Sequence, residues 1–81
     1  MTEDIRKIIK DHAKLSVDVA QLADDADLYQ AGMSSHASVN VMLGLEDAFD
    51  IEFPDELLTK STFCSIGAIS SAVEGLLEAA A

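Results

Sequence analysis

A short cluster of hydroxyl side chains is the part of this sequence whose residue types could support chemistry. Ser34 and Ser35 follow Gly32 in the segment Ala31-Gly32-Met33-Ser34-Ser35, and His36 comes next. A serine hydroxyl can accept a transferred group, but it can also cap the first turn of a helix, which is the commoner role at such a position. The spacing alone leaves both roles open for these two serines.

The other reactive side chains indicate neither a metal site nor a catalytic site. The cluster Asp24, Asp25 and Asp27 lacks the alternating oxygen ligands, the central glycine and the final glutamate of a calcium-binding loop. The single cysteine, Cys64, cannot form an internal disulfide, and we assign it to the core between the last two helices. Since no nucleophile is paired with a base in this short chain, we expect that the protein is not an enzyme.

Two helices with a long loop between them are expected to position the serines. Ile5, Ile8 and Ile9 follow the spacing of a buried helical stripe, which predicts a first helix over residues 2–14. Residues 15–34 show no sustained period and are expected to form a loop, and helical spacing returns over residues 35–49. Apolar side chains are expected to anchor this loop to the helices: Val17, Val19, Leu22, Leu28 and Tyr29.

Two further helices complete the predicted fold. Pro54 suits a first helical position and is followed by two acidic residues, which predicts a short third helix over residues 54–60. Apolar residues recur at helical spacing from Ile66 to Leu77, which predicts a fourth helix over residues 65–78. A chain of 81 residues is too short for two cores. We therefore expect one domain over residues 1–81, an all-α four-helix bundle with a long loop between helices 1 and 2 and a short third helix.

The net charge of −10 is concentrated after residue 14. Residues 15–81 contain twelve of the fifteen Asp and Glu residues but only one of the five Lys and Arg residues, Lys60. Such a surface repels phosphate backbones and anionic lipids, so we expect basic protein surfaces as partners, with no nucleic-acid or membrane binding. The N-terminal segment lacks the apolar run of a signal peptide, and we expect a cytoplasmic monomer.

Several segments occur in an order and spacing that are typical of one family. Asp27-Leu28 is followed by Gly32-Met33-Ser34-Ser35, by the segment LEDAFDIEFPDE from Leu45 to Glu56, and by Thr62 and Ser65-Ile66. These segments resemble the D-L, G-x-D-S and L-E-x-x-F-x-I-x-I-P-x-E motifs of the acyl carrier protein family. The resemblance covers nearly the whole chain and is far more specific than a lone G-x-S match.

The resemblance implies that Ser35 is the attachment point of 4'-phosphopantetheine, with Gly32, Ser34 and His36 beside it. A phosphopantetheinyl transferase would move this group from coenzyme A to the Ser35 hydroxyl. The thiol at the end of the arm would then hold an acyl or aminoacyl group as a thioester, which makes a loading ligase and downstream acyl-processing enzymes the expected partners. A phosphodiester at a helix N-terminus also lies beside unsatisfied backbone N–H groups and the positive end of the helix dipole.

Two departures from the family flank the attachment position. Ser34 stands where the family usually has Asp, and His36 stands where it usually has Leu. A protonated His36 would attract the phosphate of the arm, although an exposed histidine without this role is the more common case. The loss of Asp also keeps a second function open, that of an unmodified regulatory or scaffold module that docks proteins through its acidic face.

A third departure concerns the docking of partners. Family members dock on basic surfaces through acidic residues early in the second helix, and matching positions here hold Ala37 and Asn40, while Glu46 and Asp47 keep the charge. The resemblance therefore implies a specialised carrier with dedicated partners rather than the housekeeping one. The predicted docking residues are Met33, His36, Val39, Asn40, Glu46 and Asp47.

Two aromatic residues bear on the size of the cargo. Phe53 stands where the family often has Ile, and Phe63 adds a second ring. A filled interior would hide a long acyl chain poorly, which favours an amino acid or a short acyl group. The two rings could equally replace other core volume, and the sequence leaves the cargo and the pathway open.

Overall fold

The computed structural model describes residues 2–13, 15 and 17–80, the side chain of residue 80 excepted. Its elements follow the order α1 (Thr2–Ala13), a 3₁₀ turn (Val19–Gln21), α2 (Ser35–Phe49), a second 3₁₀ turn (Asp55–Leu57), α3 (Lys60–Phe63) and α4 (Ile66–Ala80). The described residues form no strand, and none of their helices is long and apolar enough to cross a membrane. The predicted all-α fold, with a long loop after the first helix and a short third helix, is confirmed.

The first two helices lie close to their predicted bounds. α1 begins at Thr2 and ends at Ala13, while Lys14, its predicted last residue, lies outside the described residues. α2 spans the predicted residues 35–49.

The prediction of a third helix over residues 54–60 is wrong. Pro54 has an extended backbone, with φ −70° and ψ 159°, so it precedes a 3₁₀ turn at Asp55–Leu57 instead of beginning an α-helix. Thr59 is extended as well, with φ −130° and ψ 161°, and α3 begins after it at Lys60. A hydrogen bond of 3.2 Å between the hydroxyls of Thr59 and Thr62 spans this new helix start.

The fourth helix begins later and ends later than predicted. Ser65 caps it rather than forming its first residue, because the Ser65 Oγ accepts a hydrogen bond from the Ala68 N–H at 3.1 Å. The helix continues past the predicted end at Glu78 as far as Ala80, since alanine is a strong helix former.

The core lies between α1, α2 and α4. Its large, fully buried side chains are Ile5, Ile9, Leu28, Val41, Leu45, Ile66, Ile69 and Val73. α1 approaches α2 closely at Gly44, where an added Cβ atom would lie 2.9 Å from His12 Cδ2 and 3.0 Å from Ile8 Cγ2. The missing side chain at Gly44 therefore lets α1 pack directly against the helix that begins at Ser35.

A polar clamp holds the long loop, here called the first connection (residues 17–34), to the helices. Arg6 of α1 donates from Nη1 to the Val19 carbonyl and from Nη2 to Asp24 Oδ1, both at 2.7 Å. The Asp24 carbonyl in turn accepts a hydrogen bond of 2.8 Å from the Gly67 N–H in the first turn of α4. The clamp therefore joins α1, the first connection and α4.

Apolar anchors complete the attachment of the first connection. Val19 and Leu28 are buried as predicted, whereas Val17 is 45% exposed and does not anchor the segment. The Leu28 N–H donates to the Cys64 carbonyl at 2.7 Å, which ties this part of the loop to the end of α3.

Candidate functional site

The structure divides the two candidate roles between the two serines. Ser34 has an extended backbone and caps α2, with its Oγ accepting a hydrogen bond from the Ala37 N–H at 3.0 Å. Ser35 is the first helical residue, its side chain is exposed, and within the described part of the chain its Oγ has no hydrogen-bond partner. The Ser35 hydroxyl is therefore free for chemistry, while the Ser34 hydroxyl is used by the fold.

This division also weakens the case for an unmodified module. Ser and Asp are similarly effective N-cap residues, so Ser34 in place of the family's Asp retains the capping interaction. The departure that kept the second function open is thus accounted for by local structure.

A tight turn before α2 positions the serines, and Gly32 makes it possible. Gly32 has φ 117°, a value that side-chain-bearing residues rarely adopt. The Gly32 N–H donates to the Tyr29 carbonyl at 3.2 Å, and the Met33 N–H donates to the Leu28 carbonyl at 3.0 Å. Asp27 caps the turn, since its Oδ1 accepts a 2.9 Å hydrogen bond from the Tyr29 N–H.

A groove of about 320 Å³ opens beside Ser35. It is bounded by α2, by Tyr29 of the first connection and by the second connection (residues 50–65), which includes α3. Its lining is mostly apolar: Tyr29, Ser35, Ser38, Val39, Met42, Leu58, Thr59, Lys60 and Phe63. Phe63 is buried, and its ring centroid lies 5.3 Å from that of Phe53, which is also buried. The two rings fill the interior next to the groove.

Lys60 is a residue of this site that the sequence analysis did not select. It lines the groove together with Ser35, and its Nζ lies 5.5 Å from the centroid of the Tyr29 ring. Its status as the only cation in residues 15–81 was the available signal, but nothing in the local sequence places it beside Ser35.

An anion attached to Ser35 fits this environment. The Ser35 and His36 N–H groups lie in the first turn of a 15-residue helix, where the helix dipole is positive. The groove provides an apolar surface beside the hydroxyl, and Lys60 provides a positive charge. The residues present are therefore suited to hold phosphopantetheine on Ser35, which supplies a thiol for thioester formation when it is attached.

The predicted docking residues divide into exposed and structural groups. His36, Val39 and Asp47 are exposed on α2, and Asn40 is half-buried. Met33 is only 3% exposed, so it is a core residue and its predicted place on the docking surface is wrong. Glu46 is half-buried and accepts a 2.9 Å hydrogen bond on Oε2 from the Phe53 N–H, which gives it a structural role.

Leu43 belongs to the exposed face of α2 but was absent from the predicted docking residues. Its side chain is 52% exposed and follows Val39, 48% exposed, by one helical turn. The available signal was that Leu43 lies outside the buried stripe of Val41 and Leu45. The exposed face of α2 is therefore more apolar than predicted.

The remaining candidate residues form hydrogen bonds that hold the fold. Asp24 belongs to the clamp with Arg6, and Asp27 caps a turn. Among the described residues, no three His, Cys, Asp or Glu side chains are grouped so as to hold a metal ion. Cys64 is half-buried between α3 and α4, and its Sγ donates to the Ser61 carbonyl at 3.3 Å.

Comparisons with known proteins identify the family of this chain. The family model described as "Phosphopantetheine attachment site" matches residues 3–73. An aminoacyl carrier protein from Agrobacterium fabrum is 51% identical over 78 residues, which cover 96% of this chain and 94% of the relative.

Solved structures show the same likeness. A carrier protein from Agrobacterium tumefaciens, in a crystal structure with an engineered Bradyrhizobium japonicum glycine:[carrier protein] ligase and AMP, has a TM-score of 0.89 and 53% identity, covering 91% of this chain and 99% of its own. The carrier protein in the corresponding complex with ATP has a TM-score of 0.87 and 52% identity, covering 90% of this chain and 95% of its own. A solution structure of a protein from Agrobacterium tumefaciens has a TM-score of 0.78 and 50% identity, covering 99% of this chain and 96% of its own.

These matches confirm several predictions made from the sequence. They support a carrier that is not itself an enzyme, 4'-phosphopantetheine as its cofactor, and a phosphopantetheinyl transferase as the partner that attaches it. The matched family model spans most of the sequence, and the chain belongs to the family of carrier proteins that have a phosphopantetheine attachment site.

Proposed function

We propose that Ser35 carries the phosphopantetheine arm and that the protein holds an aminoacyl group on it as a thioester. The observation that carries this proposal is the exposed Ser35 hydroxyl, left free because Ser34 caps α2, at the edge of an apolar groove. Gly32 supports the assignment by forming the turn that brings both serines to the start of α2. His36 follows Ser35 and is exposed beside it.

A mass measurement on serine variants tests the attachment residue. Incubation with coenzyme A and a promiscuous phosphopantetheinyl transferase should add one phosphopantetheine group to the wild type and to Ser34→Ala, but none to Ser35→Ala. Circular dichroism of each variant controls for loss of fold. An unmodified wild type, or a modified Ser35→Ala, contradicts the proposal.

The proposed cargo is a small amino acid. One relative is named an aminoacyl carrier protein, and another is bound to a glycine:[carrier protein] ligase. The groove beside Ser35, about 320 Å³, is near the lower limit of ligand sites, and Phe63 with Phe53 behind it fills the adjoining interior. A short cargo needs no deep cavity to cover it.

Hydrolysis of defined thioesters tests the size of the cargo. We expect glycyl and long-chain acyl thioesters of the holo protein to be about equally exposed to water, so that neither is strongly protected relative to a pantetheine thioester of the same acyl group. Strong protection of the long chain alone contradicts the proposal of small cargo, because it requires an interior that opens to the chain.

The exposed face of α2 is the proposed docking surface, defined by His36, Val39, Asn40, Leu43 and Asp47. Its centre is apolar, since Val39 and Leu43 are both about half exposed, and Asp47 adds a negative charge at the far end. We expect a loading ligase with an apolar contact patch, followed by downstream acyl-processing enzymes. Such a surface selects dedicated partners. Enzymes that recognise carriers through a basic surface need acidic residues to attract them, and an apolar contact does not replace that attraction.

Loading of pre-modified protein tests this surface. Leu43→Asp should lower the rate of ATP-dependent aminoacylation by a loading ligase of the glycine:[carrier protein] type by about tenfold or more, as expected for an apolar anchor. Val17→Asp is the matched control, because Val17 is also about half exposed but lies in the first connection. Equal rates for both variants exclude Leu43 from the docking surface.

A cytoplasmic location is part of the same proposal, because coenzyme A and ATP are available there to a transferase and a ligase. Fractionation of cells with an antibody against the protein tests it. Recovery outside the cytoplasmic fraction contradicts it.

A further inference from the structure

We propose that Lys60 binds the phosphate of the arm on Ser35, with the Tyr29 ring holding the ammonium group at the groove. This inference rests on the proposed function, since it requires an arm on Ser35. It adds a binding role for a residue that lies 25 positions from the serine in the sequence and on a different helix.

Geometry is the first support for this role. Ser35, Tyr29 and Lys60 line the same groove. Lys60 Nζ lies 5.5 Å from the Tyr29 ring centroid, within the range of a cation–π contact. This contact favours the position of the ammonium group on the groove side, while the flexible four-carbon stem allows it to reach a neighbouring anion.

The second support is that the Lys60 charge has no other partner. Residues 15–81 contain twelve carboxylates, yet within the described ranges Lys60 forms no ion pair with any of them. An available ammonium group therefore faces the groove in an otherwise acidic part of the protein.

The third support is the charge that modification adds. A phosphodiester on Ser35 places another negative charge on a protein that already has a net charge of −10. An ammonium group beside the attachment point offsets this repulsion, and lysine binds phosphate as a compact point charge. Lys60 would also orient the start of the arm along the groove, toward Leu58 and Phe63.

Phosphorus NMR of the modified protein tests the contact. Wild type, Lys60→Gln, Lys60→Arg and Lys7→Gln are each converted to the holo form, and mass spectrometry verifies one arm on each. Lys7→Gln is the matched control, because it removes the same charge from an exposed position on α1. His36→Gln tests the other cation-forming side chain beside Ser35.

We expect the phosphodiester resonance of Lys60→Gln, at low salt, to be displaced from the wild type toward that of a free phosphopantetheine diester. Lys7→Gln, His36→Gln and Lys60→Arg should stay close to the wild type. Added sodium chloride should move the wild-type resonance toward that of Lys60→Gln and leave the variant nearly unchanged, because salt screens an exposed ion pair.

Failure of this inference is distinguishable from failure of the proposed function. A wild type that gains no arm overturns both. A modified wild type whose resonance coincides with that of Lys60→Gln at low salt overturns the role of Lys60 alone, as does a displacement seen with His36→Gln instead. If Lys60→Gln cannot be modified, the salt titration of the wild type tests the contact alone. A phosphodiester resonance that does not move with added sodium chloride overturns the contact.

Discussion

The first connection (residues 17–34) and the second connection (residues 50–65) each have three buried side chains: Val19, Leu28 and Met33 in the first, and Ile51, Phe53 and Phe63 in the second. Those of the second lie near its two ends, and no residue from position 54 to 62 is buried. The first is joined to α1 and α4 by the clamp of Arg6 and Asp24. The second contains a 3₁₀ turn and a four-residue helix. Local stability follows burial and hydrogen bonding, so residues 54–62 of the second connection should open at a lower free energy than the first connection.

The two connections meet different requirements of a carrier: a fixed position for the serine and a groove wall that can move. The first connection fixes the turn that presents the Ser35 hydroxyl, so the proposed attachment point has a defined place on the surface. The second connection forms one wall of the groove through Leu58, Thr59 and Lys60, which are exposed, and through Phe63, which is buried. The exposed part of this wall has no buried side chain to hold it, so it can shift without moving the serine.

Truncation of one leucine in each connection should give the largest difference in unfolding free energy between the two connections. Leu28 is fully buried, and Leu28→Ala should lower the free energy of unfolding by about 3 kcal/mol. Leu58 is 45% exposed, and Leu58→Ala should change it by less than about 0.5 kcal/mol. Urea denaturation of both variants measures the two values. Similar losses for the two variants would show that the second connection is anchored as firmly as the first.

Removal of the clamp should have the next largest effect. Arg6→Ala removes the charged donor of the partly buried Val19 carbonyl, which then keeps only its hydrogen bond from the Leu22 N–H. Because a hydrogen bond from a charged group is lost, we expect the unfolding free energy to fall by about 2 kcal/mol. Asp24→Asn should cost only about 0.5 kcal/mol, because the Asp24 side chain is largely exposed and its ion pair is solvated. Lys7→Ala, on the exposed face of α1, is the control. A larger loss for Asp24→Asn than for Arg6→Ala would identify the ion pair, and not the carbonyl contact, as the stabilising part.

The sequence could predict the parts of the fold that repeat along the chain. α1, α2 and α4 each have apolar residues at helical spacing over 12 to 15 residues, and their positions were predicted to within two residues. The third helix was misplaced because Pro54 and the acidic residues after it are start signals for a 3₁₀ turn as well as for an α-helix. Nothing in those signals indicated that the chain would become extended at Thr59 and begin a helix again.

The site was predictable where it is local and not predictable where it joins distant residues. Ser35 and Gly32 lie in one motif, so the sequence identified them together. The Arg6 contacts span 13 and 18 positions, and Lys60 lines the same groove as Ser35 only because of the fold of the second connection. Met33 was misassigned because a single apolar residue beside a glycine turn has no periodicity to reveal which way its side chain faces.

One residue with positive φ in each connection allows a further comparison of the two connections, with a smaller expected effect. Gly32, in the first connection, has φ 117°, and Gly32→Ala should cost about 1.5 kcal/mol of unfolding free energy through backbone strain. Asp50, at the start of the second connection, has φ 53°, and Asp50→Gly should gain about 0.5 kcal/mol by relieving strain. Thermal unfolding measures both. Stabilisation by Gly32→Ala would mean that the turn before Ser35 tolerates another backbone conformation.

Salt should act on the two connections unequally, with the smallest effect of all. In the first connection, Asp18, Asp24 and Asp27 each accept a side-chain hydrogen bond and, in the part of the chain that the structure describes, only Asp25 accepts none. Within the described residues, the side chains of all four acids in the second connection accept none: Asp50, Glu52, Asp55 and Glu56. Screening of repulsion among exposed charges contributes less than about 1 kcal/mol.

Hydrogen exchange of backbone amides at increasing sodium chloride measures this difference. Protection of amides in residues 50–62 should rise with salt, while protection around Leu28 should stay nearly constant, because Leu28 is held by burial and by its hydrogen bond to the Cys64 carbonyl. An equal rise in both connections would mean that charge repulsion loosens the whole bundle. In that case the stability of the turn that presents Ser35 would depend on salt as much as the groove wall does.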